Sequence, residues 1–160
     1  MSDNTEDPTK KVAELLDDGR FAMVTTPDTD GTLISRPLTL QEVEFDGDLW
    51  FFVSRKSRTL KAGGIDANVS VTTGNSWVSL TGTLVESDDP AKRKELWNPV
   101  LDAWFPDGVD SPDAVLVKVH ADSAEYWDSP GGRIATVISL AKSKLTGEAY
   151  DGGENERVEL

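Results

Sequence analysis

Residues 35–61, SRPLTLQEVEFDGDLWFFVSRKSRTLK, contain the pattern that decides the fold. The Asp-Gly pair at 46–47 separates two strand-like segments, 41–45 and 49–53. An Asp-Gly pair between apolar segments supplies the positive φ that a tight hairpin turn requires. The second segment, LWFFV, is continuously apolar, as is typical of a buried strand. The sequence therefore predicts a β-hairpin at this point.

Strand-like segments bounded by turn residues continue on both sides of this hairpin. They are FAMVTT (21–26), TLISRPLTL (32–40), ANVSVTT (67–73), WVSLTGTLVES (77–87) and AVLVKVHADSAEYW (114–127). Gly82 lies inside the fourth of them, where a barrel strand bends or admits a close neighbour. About six strands joined by tight turns predict a small, mainly β domain closed into a barrel.

Helical segments are expected to flank this barrel. They are residues 9–18, a turn within 56–65, residues 89–105 and residues 134–144. The first is amphipathic, ends at Gly19, and is expected to cap the barrel. The third begins with Asp89 as its cap and Pro90 in its first turn, and Pro99 is expected to kink or interrupt it. The domain is predicted to span 9–147, between a disordered N-terminus at 1–8 and a loose acidic tail at 148–160.

The composition excludes several functional classes. The chain has 160 residues, the size of one domain, and no cysteine, which excludes disulfides, thiolate zinc sites and thiol nucleophiles. With one histidine as well, no metal site is predicted. The net charge of −13 argues against nucleic-acid and anionic-membrane partners. The N-terminus lacks a signal-peptide pattern and no segment is apolar enough to span a bilayer, so a cytoplasmic protein is expected.

Positive charge is concentrated in one part of this acidic chain. Four of its sixteen lysines and arginines lie within residues 54–61, and Arg36 lies one hairpin earlier. In that segment Ser54, Ser57 and Thr59 offer hydroxyl donors, and Arg58 can bind two phosphate oxygens at once. A strand that ends in such residues and enters a helical turn is suited to bind an anion. The alternative is a solvated basic loop.

The order of these features resembles the pyridoxamine 5′-phosphate oxidase superfamily of FMN-binding split barrels. The residues that carry the resemblance are Arg36, the turn at 46–47, the aromatic strand at 49–53, Ser57-Arg58-Thr59 and the Asn-containing strand at 67–71. The segments that resemble the general stress protein 26 branch are Ser35-Arg36-Pro37, 77–82, 96–99, 104–108 and 125–128. The resemblance covers residues 9–147 and implies an antiparallel six-stranded split β-barrel with flanking helices.

The resemblance also implies a cofactor and a partner. FMN would be bound at the interface of a homodimer, with its phosphate held by Arg36, Ser57 and Arg58 and its ring edge against the backbone of residues 51–54. Trp77 and the stretch from Tyr126-Trp127 to Arg133 would reach the cofactor from the second subunit. The candidate cofactor-binding residues are Arg36, Pro37, Leu38, Phe52, Val53, Ser54, Ser57, Arg58, Thr59, Trp77, Trp127 and Arg133.

Three positions depart from the oxidase pattern. Gln41 and Thr59 stand where the oxidases have lysine, and Ala135 stands where they have histidine. Oxidation of pyridoxamine 5′-phosphate itself is therefore not expected.

The interpretation favoured is an FMN-dependent oxidoreductase acting on a small substrate that the sequence does not identify, with no catalytic residue assigned. His120, the lone histidine, is expected on an exposed strand face. The alternatives are a non-catalytic flavin-binding stress protein or sensor, an F420-dependent reductase on the same barrel, and an interaction module with an acidic partner. FAD is a further alternative cofactor.

Overall fold

The computed structural model describes residues 7–17, 20–41, 45–57, 64–128 and 154–160. The helices of this part of the chain are α1 (Pro8–Asp17), α2 (Pro90–Leu96) and α3 (Pro99–Trp104). Its strands are β1 (Phe21–Pro27), β2 (Leu33–Thr39), β3 (Asp48–Ser54), β4 (Ile65–Thr73), β5 (Ser76–Glu86), β6 (Ala114–Asp128) and β7 (Glu154–Glu159). No helix within these ranges is long and apolar enough to cross a membrane.

The strands form one antiparallel sheet in the order β2-β1-β4-β5-β6-β3, with β7 paired to β6. β6 is fifteen residues long, so its first half pairs with β3 and its second half with β7. At the two ends of the strand order, β2 and β3 approach each other, and the Gln41 N–H donates to the Trp50 carbonyl at 3.1 Å. The sheet therefore curls into a barrel with one open seam, which confirms the predicted split barrel.

The barrel interior is filled by alternate residues of the strands, since side chains on a strand point to opposite faces. Val24, Val69, Leu80 and Val117 are fully buried there. Helix α1 packs Val12, Leu15 and Leu16 against the same core, as the sequence predicted for a cap. Hydrophobic burial of this kind is the main favourable term in folding.

Strand β3 is buried on both faces, which explains its continuous apolar sequence. Leu49, Phe51 and Val53 point into the barrel, whereas Trp50 and Phe52 point outward. The outward pair is covered by α2 and α3 through Leu96, Trp97, Leu101 and Phe105. The two helices are separate because Pro99 begins the second of them, as predicted, with Asn98 as its N-cap.

Gly82 marks the irregularity in the β5–β6 ladder, where the register shifts between Thr81 and Gly82. A Cβ at this position would overlap the backbone of His120. The prediction that Gly82 admits a close neighbour is therefore confirmed. Gly47, in the predicted hairpin turn, has a φ of +108°, a conformation that L side chains rarely adopt.

The prediction of a loose acidic tail at 148–160 is wrong for its last part. Residues 154–159 form β7, which satisfies the backbone groups of the second half of β6, and Val158 is buried in the core. The predicted strand at 41–45 is described only at Gln41 and Phe45, neither of which is in a strand. The predicted helix at 134–144, residues 58–63 of the predicted helical turn, and residues 1–6 lie outside the described residues.

Candidate binding site at the open seam

The open seam is the gap between β2 and β3, the two strands at the ends of the sheet order. Beyond the hydrogen bond from Gln41 to Trp50, these strands form no ladder in the described part of the chain. Counted along antiparallel strands from that bond, Pro37 is level with Ser54 and Leu38 with Val53. The seam thus brings two groups of predicted site residues, 36–38 and 52–54, to facing edges.

The sequence explains why the seam stays open. On β2 the even-numbered residues bond to β1, as the Leu40 N–H does to the Arg20 carbonyl, so the odd-numbered residues face the seam. Pro37 is one of these residues and has no N–H to donate. The acceptor level with it, the Ser54 carbonyl, is already occupied by the Ser57 N–H at 2.8 Å. The bond from residue 37 to the Ser54 carbonyl, two pairs beyond Gln41–Trp50, is therefore not available.

Strand β3 presents backbone, rather than side chains, to this gap. The Arg55 N–H donates to the Asp113 carbonyl on the β6 side, so by alternation the N–H and C=O of Phe52 face the seam. The Phe52 ring points away and meets Trp97 edge-on at 5.3 Å between centroids. The Val53 side chain is in the barrel core. An N–H and a C=O side by side on a free strand edge can bind the edge of a flat heterocycle.

Arg36 provides the positive charge that the structure describes at the seam. Its side chain is on the barrel side of β2 and is partly buried, and its Nη1 donates to the Thr26 hydroxyl at 2.9 Å. Thr26 is itself buried. Leu38, next along the same face, packs against the core. The guanidinium is therefore held in a defined direction against β1, on the barrel side of the sheet.

The cations and hydroxyls that follow β3 divide into two groups. The Ser54 hydroxyl donates to Asp113 at 2.8 Å, and Arg55 makes a two-bond ion pair with Glu86 at 2.9 and 3.0 Å. The hydrogen bond that Arg55 donates to Glu86 raises the pKa of Arg55. Ser57, in the turn after β3, is partly buried beside the seam. Ser54 and Arg55 thus have structural partners, and Ser57 is the predicted site residue of this turn that lies beside the seam.

Arg58, Thr59 and Arg133 lie outside the described residues. Trp77 and Trp127 are directly opposite each other on β5 and β6, and they are 47% and 41% exposed. Both point to the outside of the sheet, at positions that pair with β4 and β7 and not with β2 or β3. They therefore do not line the seam of their own chain. Tyr126, named with Trp127 from the sequence, is instead a buried core residue whose hydroxyl donates to Glu156.

One contact of Gln41 could not be read from the sequence. Its amide oxygen accepts a hydrogen bond from the Asn98 side chain at 3.0 Å, so it joins the end of β2 to the linker between α2 and α3. His120 is exposed, as predicted, and its Nδ1 lies 2.7 Å from Asp48 on β3. The sequence signals for these pairs are weak, because their partners are distant along the chain.

Taken together, the described seam residues fit a phosphorylated ligand with a flat ring. Arg36 supplies a cation, Ser57 a hydroxyl, and Phe52 a backbone donor and acceptor for a ring edge. Charge-assisted bonds from a guanidinium are among the stronger contacts to a phosphate. The class that the fold defines is therefore an antiparallel split barrel, with a candidate anion site at its seam.

Comparison with known proteins shows the family. The family model described as "Pyridoxamine 5′-phosphate oxidase like" matches residues 7–151, and the chain belongs to this family. A general stress protein 26 assigned in Jannaschia sp. CCS1 is 30% identical, with a TM-score of 0.79 over 96% of this chain and 99% of that chain. The resemblance stated from the sequence is therefore confirmed.

Two further relatives extend the comparison. The general stress FMN/FAD binding protein of Xanthomonas citri is 29% identical, with a TM-score of 0.63 over 74% of this chain and 89% of that chain. Protein bli-3 of Neurospora crassa is 27% identical over an alignment of 151 residues, which covers 86% of this chain and 72% of that protein.

Proposed function

We propose that this protein binds FMN at the open seam and acts as an FMN-dependent oxidoreductase on a small substrate. The observation that carries the proposal is the seam itself. Pro37 and the turn at Ser54 remove one bond between β2 and β3, the Phe52 backbone faces the gap, and Arg36 lies on β2 with its guanidinium bonded to Thr26 on the barrel side. The Xanthomonas citri relative, named for FMN/FAD binding, supports the choice of a flavin.

The residues of this chain would hold the cofactor by its two ends. Arg36 and Ser57 bind the phosphate, and Arg58 and Thr59 follow Ser57 directly in the sequence. The Phe52 backbone fixes the ring edge. When bound, the flavin supplies hydride transfer, while the protein orients the ring and controls access to it. FMN is preferred to F420 because the Xanthomonas citri relative is named for FMN/FAD binding, and FAD is the alternative cofactor.

A homodimer is part of the same proposal. The outward side chains of β1, β2, β4 and β5 form a continuous surface, the outer sheet face, which includes one carboxylate, Asp66, and no cation among the described residues. Phe21, Met23 and Trp77 are exposed on it at 70%, 43% and 47%. Because the chain has a net charge of −13, a surface with so few charges favours burial of this face against a second copy. The same contact would bring Trp77 and Trp127 towards the partner's cofactor.

The test is native purification followed by flavin absorbance and titration with FMN, FAD and F420. Arg36→Ala is expected to weaken FMN binding tenfold to a hundredfold, which corresponds to about 1.5–3 kcal/mol for a lost charge-assisted contact. Arg55→Ala is the matched control, because it removes an arginine whose partner is Glu86. Equal FMN affinity in wild type and Arg36→Ala contradicts the site, and equal losses in both variants indicate a general charge effect.

The dimer is tested separately by light scattering. Met23→Arg, on the outer sheet face, is expected to give a monomer with reduced flavin retention, whereas Val100→Arg, on α3 and 63% exposed, leaves a dimer. A wild-type monomer at micromolar concentration contradicts this part of the proposal. The cytoplasm remains the compartment that we propose.

A second candidate is a non-catalytic flavin-binding stress protein or sensor. The described candidate residues at the seam and on the outer sheet face include no side chain of a type that titrates near neutral pH, which favours this candidate. Steady-state turnover of the holoprotein with NADPH and a panel of acceptors separates the two candidates. Turnover supports the oxidoreductase, and a bound flavin without turnover supports the sensor.

A further inference from the structure

A cavity of about 500 Å³ lies beyond the closed end of the seam, between the end of β2 and helices α2 and α3. Its volume is in the range of about 300–1,000 Å³ that is usual for small-molecule sites. Residues 39–41, which follow Arg36–Leu38 directly, form one wall, and α2, α3 and their linker form the other. None of the residues assigned above to the flavin lines this cavity.

The cavity wall on the helix side is mainly apolar and aromatic. Leu96 and Leu101 are buried at 6% exposure, Trp97 is partly buried, and Trp104 at the rim is 76% exposed. Trp97 is fixed by its Nε1 bond to Asp102 at 2.9 Å and by its contact with Phe52. A rigid indole wall with a second indole at the entrance favours a flat aromatic ligand, because aromatic rings pack on one another.

The polar groups of the cavity favour an uncharged ligand. Its two ionisable residues, Arg20 and Glu95, have opposite charges and are both exposed. Gln41 is 6% exposed. Its amide oxygen accepts from Asn98, and its amide nitrogen donates to the Thr39 carbonyl at 3.2 Å. An amide nitrogen has two hydrogens. Among the residues that the structure describes, one of them has an acceptor, so the other N–H of Gln41 can donate to a ligand oxygen.

We propose that this cavity binds an uncharged, flat aromatic compound that has a carbonyl oxygen. The rings lie against Trp97 and Trp104, and the carbonyl accepts from Gln41. Trp97 also contacts Phe52, whose backbone faces the seam, so the cavity adjoins the proposed flavin site. That this compound is the substrate of the flavin rests on the proposed function. That it binds in this cavity does not depend on the proposed function.

The first experiment measures binding to the full chain by calorimetry, with and without added FMN. The probes are 2-acetylnaphthalene, which is neutral and has a carbonyl, and 2-naphthoate, which is an anion of similar size. We expect the ketone to bind at least tenfold more tightly, because the cavity has no surplus cation to compensate for the buried carboxylate. Equal or tighter binding of 2-naphthoate, or no binding of the ketone at millimolar concentration, overturns the proposal.

Two variants locate the bound ketone. Trp104→Ala is expected to weaken its binding roughly tenfold by removing apolar contact area, whereas Leu33→Ala, equally exposed but on β2 away from the cavity, leaves it unchanged. Gln41→Met keeps the side-chain length and removes the donor, so it reduces the preference for the ketone over 2-methylnaphthalene. If Gln41→Met does not fold, the Trp104→Ala result stands alone, and unchanged ketone binding in it refutes the site.

These measurements separate the two proposals. Arg36→Ala removes flavin affinity but not ketone binding, and Trp104→Ala does the reverse. Loss of ketone binding in Arg36→Ala would show that the cavity is not an independent site.

Discussion

The two edges of β3 differ in their backbone hydrogen bonding. On one edge, seven residues from Asp48 to Ser54 pair with β6 without interruption. On the other edge, one hydrogen bond, from Gln41 just after β2 to Trp50, is formed among the described residues. Between Asp48 and Ser54 the strand is apolar and buried on both faces, so side-chain composition does not distinguish its edges. Backbone chemistry contributes to the difference two pairs beyond Gln41–Trp50, since Pro37 lacks the donor and Ser57 occupies the acceptor.

This comparison assigns different roles to the two edges. The paired edge stabilises the barrel, because its loss would expose both the ladder and the core behind it. The open edge contributes little to stability and leaves polar backbone groups directed at a gap, where a ligand can bind them. Substitutions on the paired side should therefore change stability, and those on the open side should change binding.

The largest effect is expected from the core behind the paired edge. Phe51 is fully buried and lies opposite Val117 on β6. Phe51→Ala is predicted to lower the free energy of unfolding by about 3–5 kcal/mol, because it removes a buried ring and leaves a cavity. Chemical denaturation measures this loss. The control is Phe21→Ala, an exposed phenylalanine on β1, and similar losses in both variants would contradict the assignment of the core.

A smaller effect is expected where the paired edge begins. Arg93 on α2 donates three hydrogen bonds, to the carbonyls of Val109, Ser111 and Ala114, and Ala114 is the first residue of β6. Arg93→Ala is predicted to cost about 2–3 kcal/mol of unfolding free energy, since partly buried carbonyls lose their partners. Lysine cannot reproduce the geometry of the guanidinium, so Arg93→Lys should not restore stability. Full rescue by lysine would show that charge alone matters.

The open edge is tested by giving it the donor that it lacks. In Pro37→Ala, the new N–H faces β3 and can compete with Ser57 for the Ser54 carbonyl. Flavin binding should weaken about threefold to tenfold, the equivalent of one net hydrogen bond of about 0.5–1.5 kcal/mol, while stability changes less. Amide hydrogen exchange reports directly whether the new N–H at position 37 becomes protected.

Pro27→Ala is the control for this substitution, because it makes the same chemical change on β1, away from the seam. If the new amide in Pro37→Ala exchanges freely and flavin affinity is unchanged, factors other than the missing donor keep the strands apart.

Local pattern was sufficient to predict most of the fold. The Asp-Gly turn, the break at Pro99 and the close contact at Gly82 each depend on the backbone chemistry of one or two residues, and each is present in the structure. The order of Arg36 and the β3 segment was sufficient to identify the family. These features are short-range, and short-range chemistry is visible in a sequence.

Long-range partners were not predictable in the same way. The basic segment was one cluster in the sequence, yet Arg55 pairs with Glu86 and Ser54 with Asp113, 31 and 59 residues away. The strand at 154–159 was missed because its acidic composition resembles a solvated tail, and its pairing with β6 is a tertiary event. Which cations are available to a ligand therefore depended on the folded chain.

The smallest effect is expected for Arg55, at the end of β3. The hydrogen bond to Glu86 raises the pKa of Arg55, so this contribution to stability is present below the ordinary pKa of arginine and is lost only as the pH rises through the raised value. Unfolding curves of wild type and Arg55→Ala should therefore run parallel from about pH 6 to pH 9, where the arginine stays charged. The pair is exposed and screened by salt, so their separation should shrink at high ionic strength. If the difference in unfolding free energy between wild type and Arg55→Ala changes with pH in this range, a second titrating group interacts with Arg55. Arg55 would then be assigned to the binding edge of β3 rather than to the paired edge.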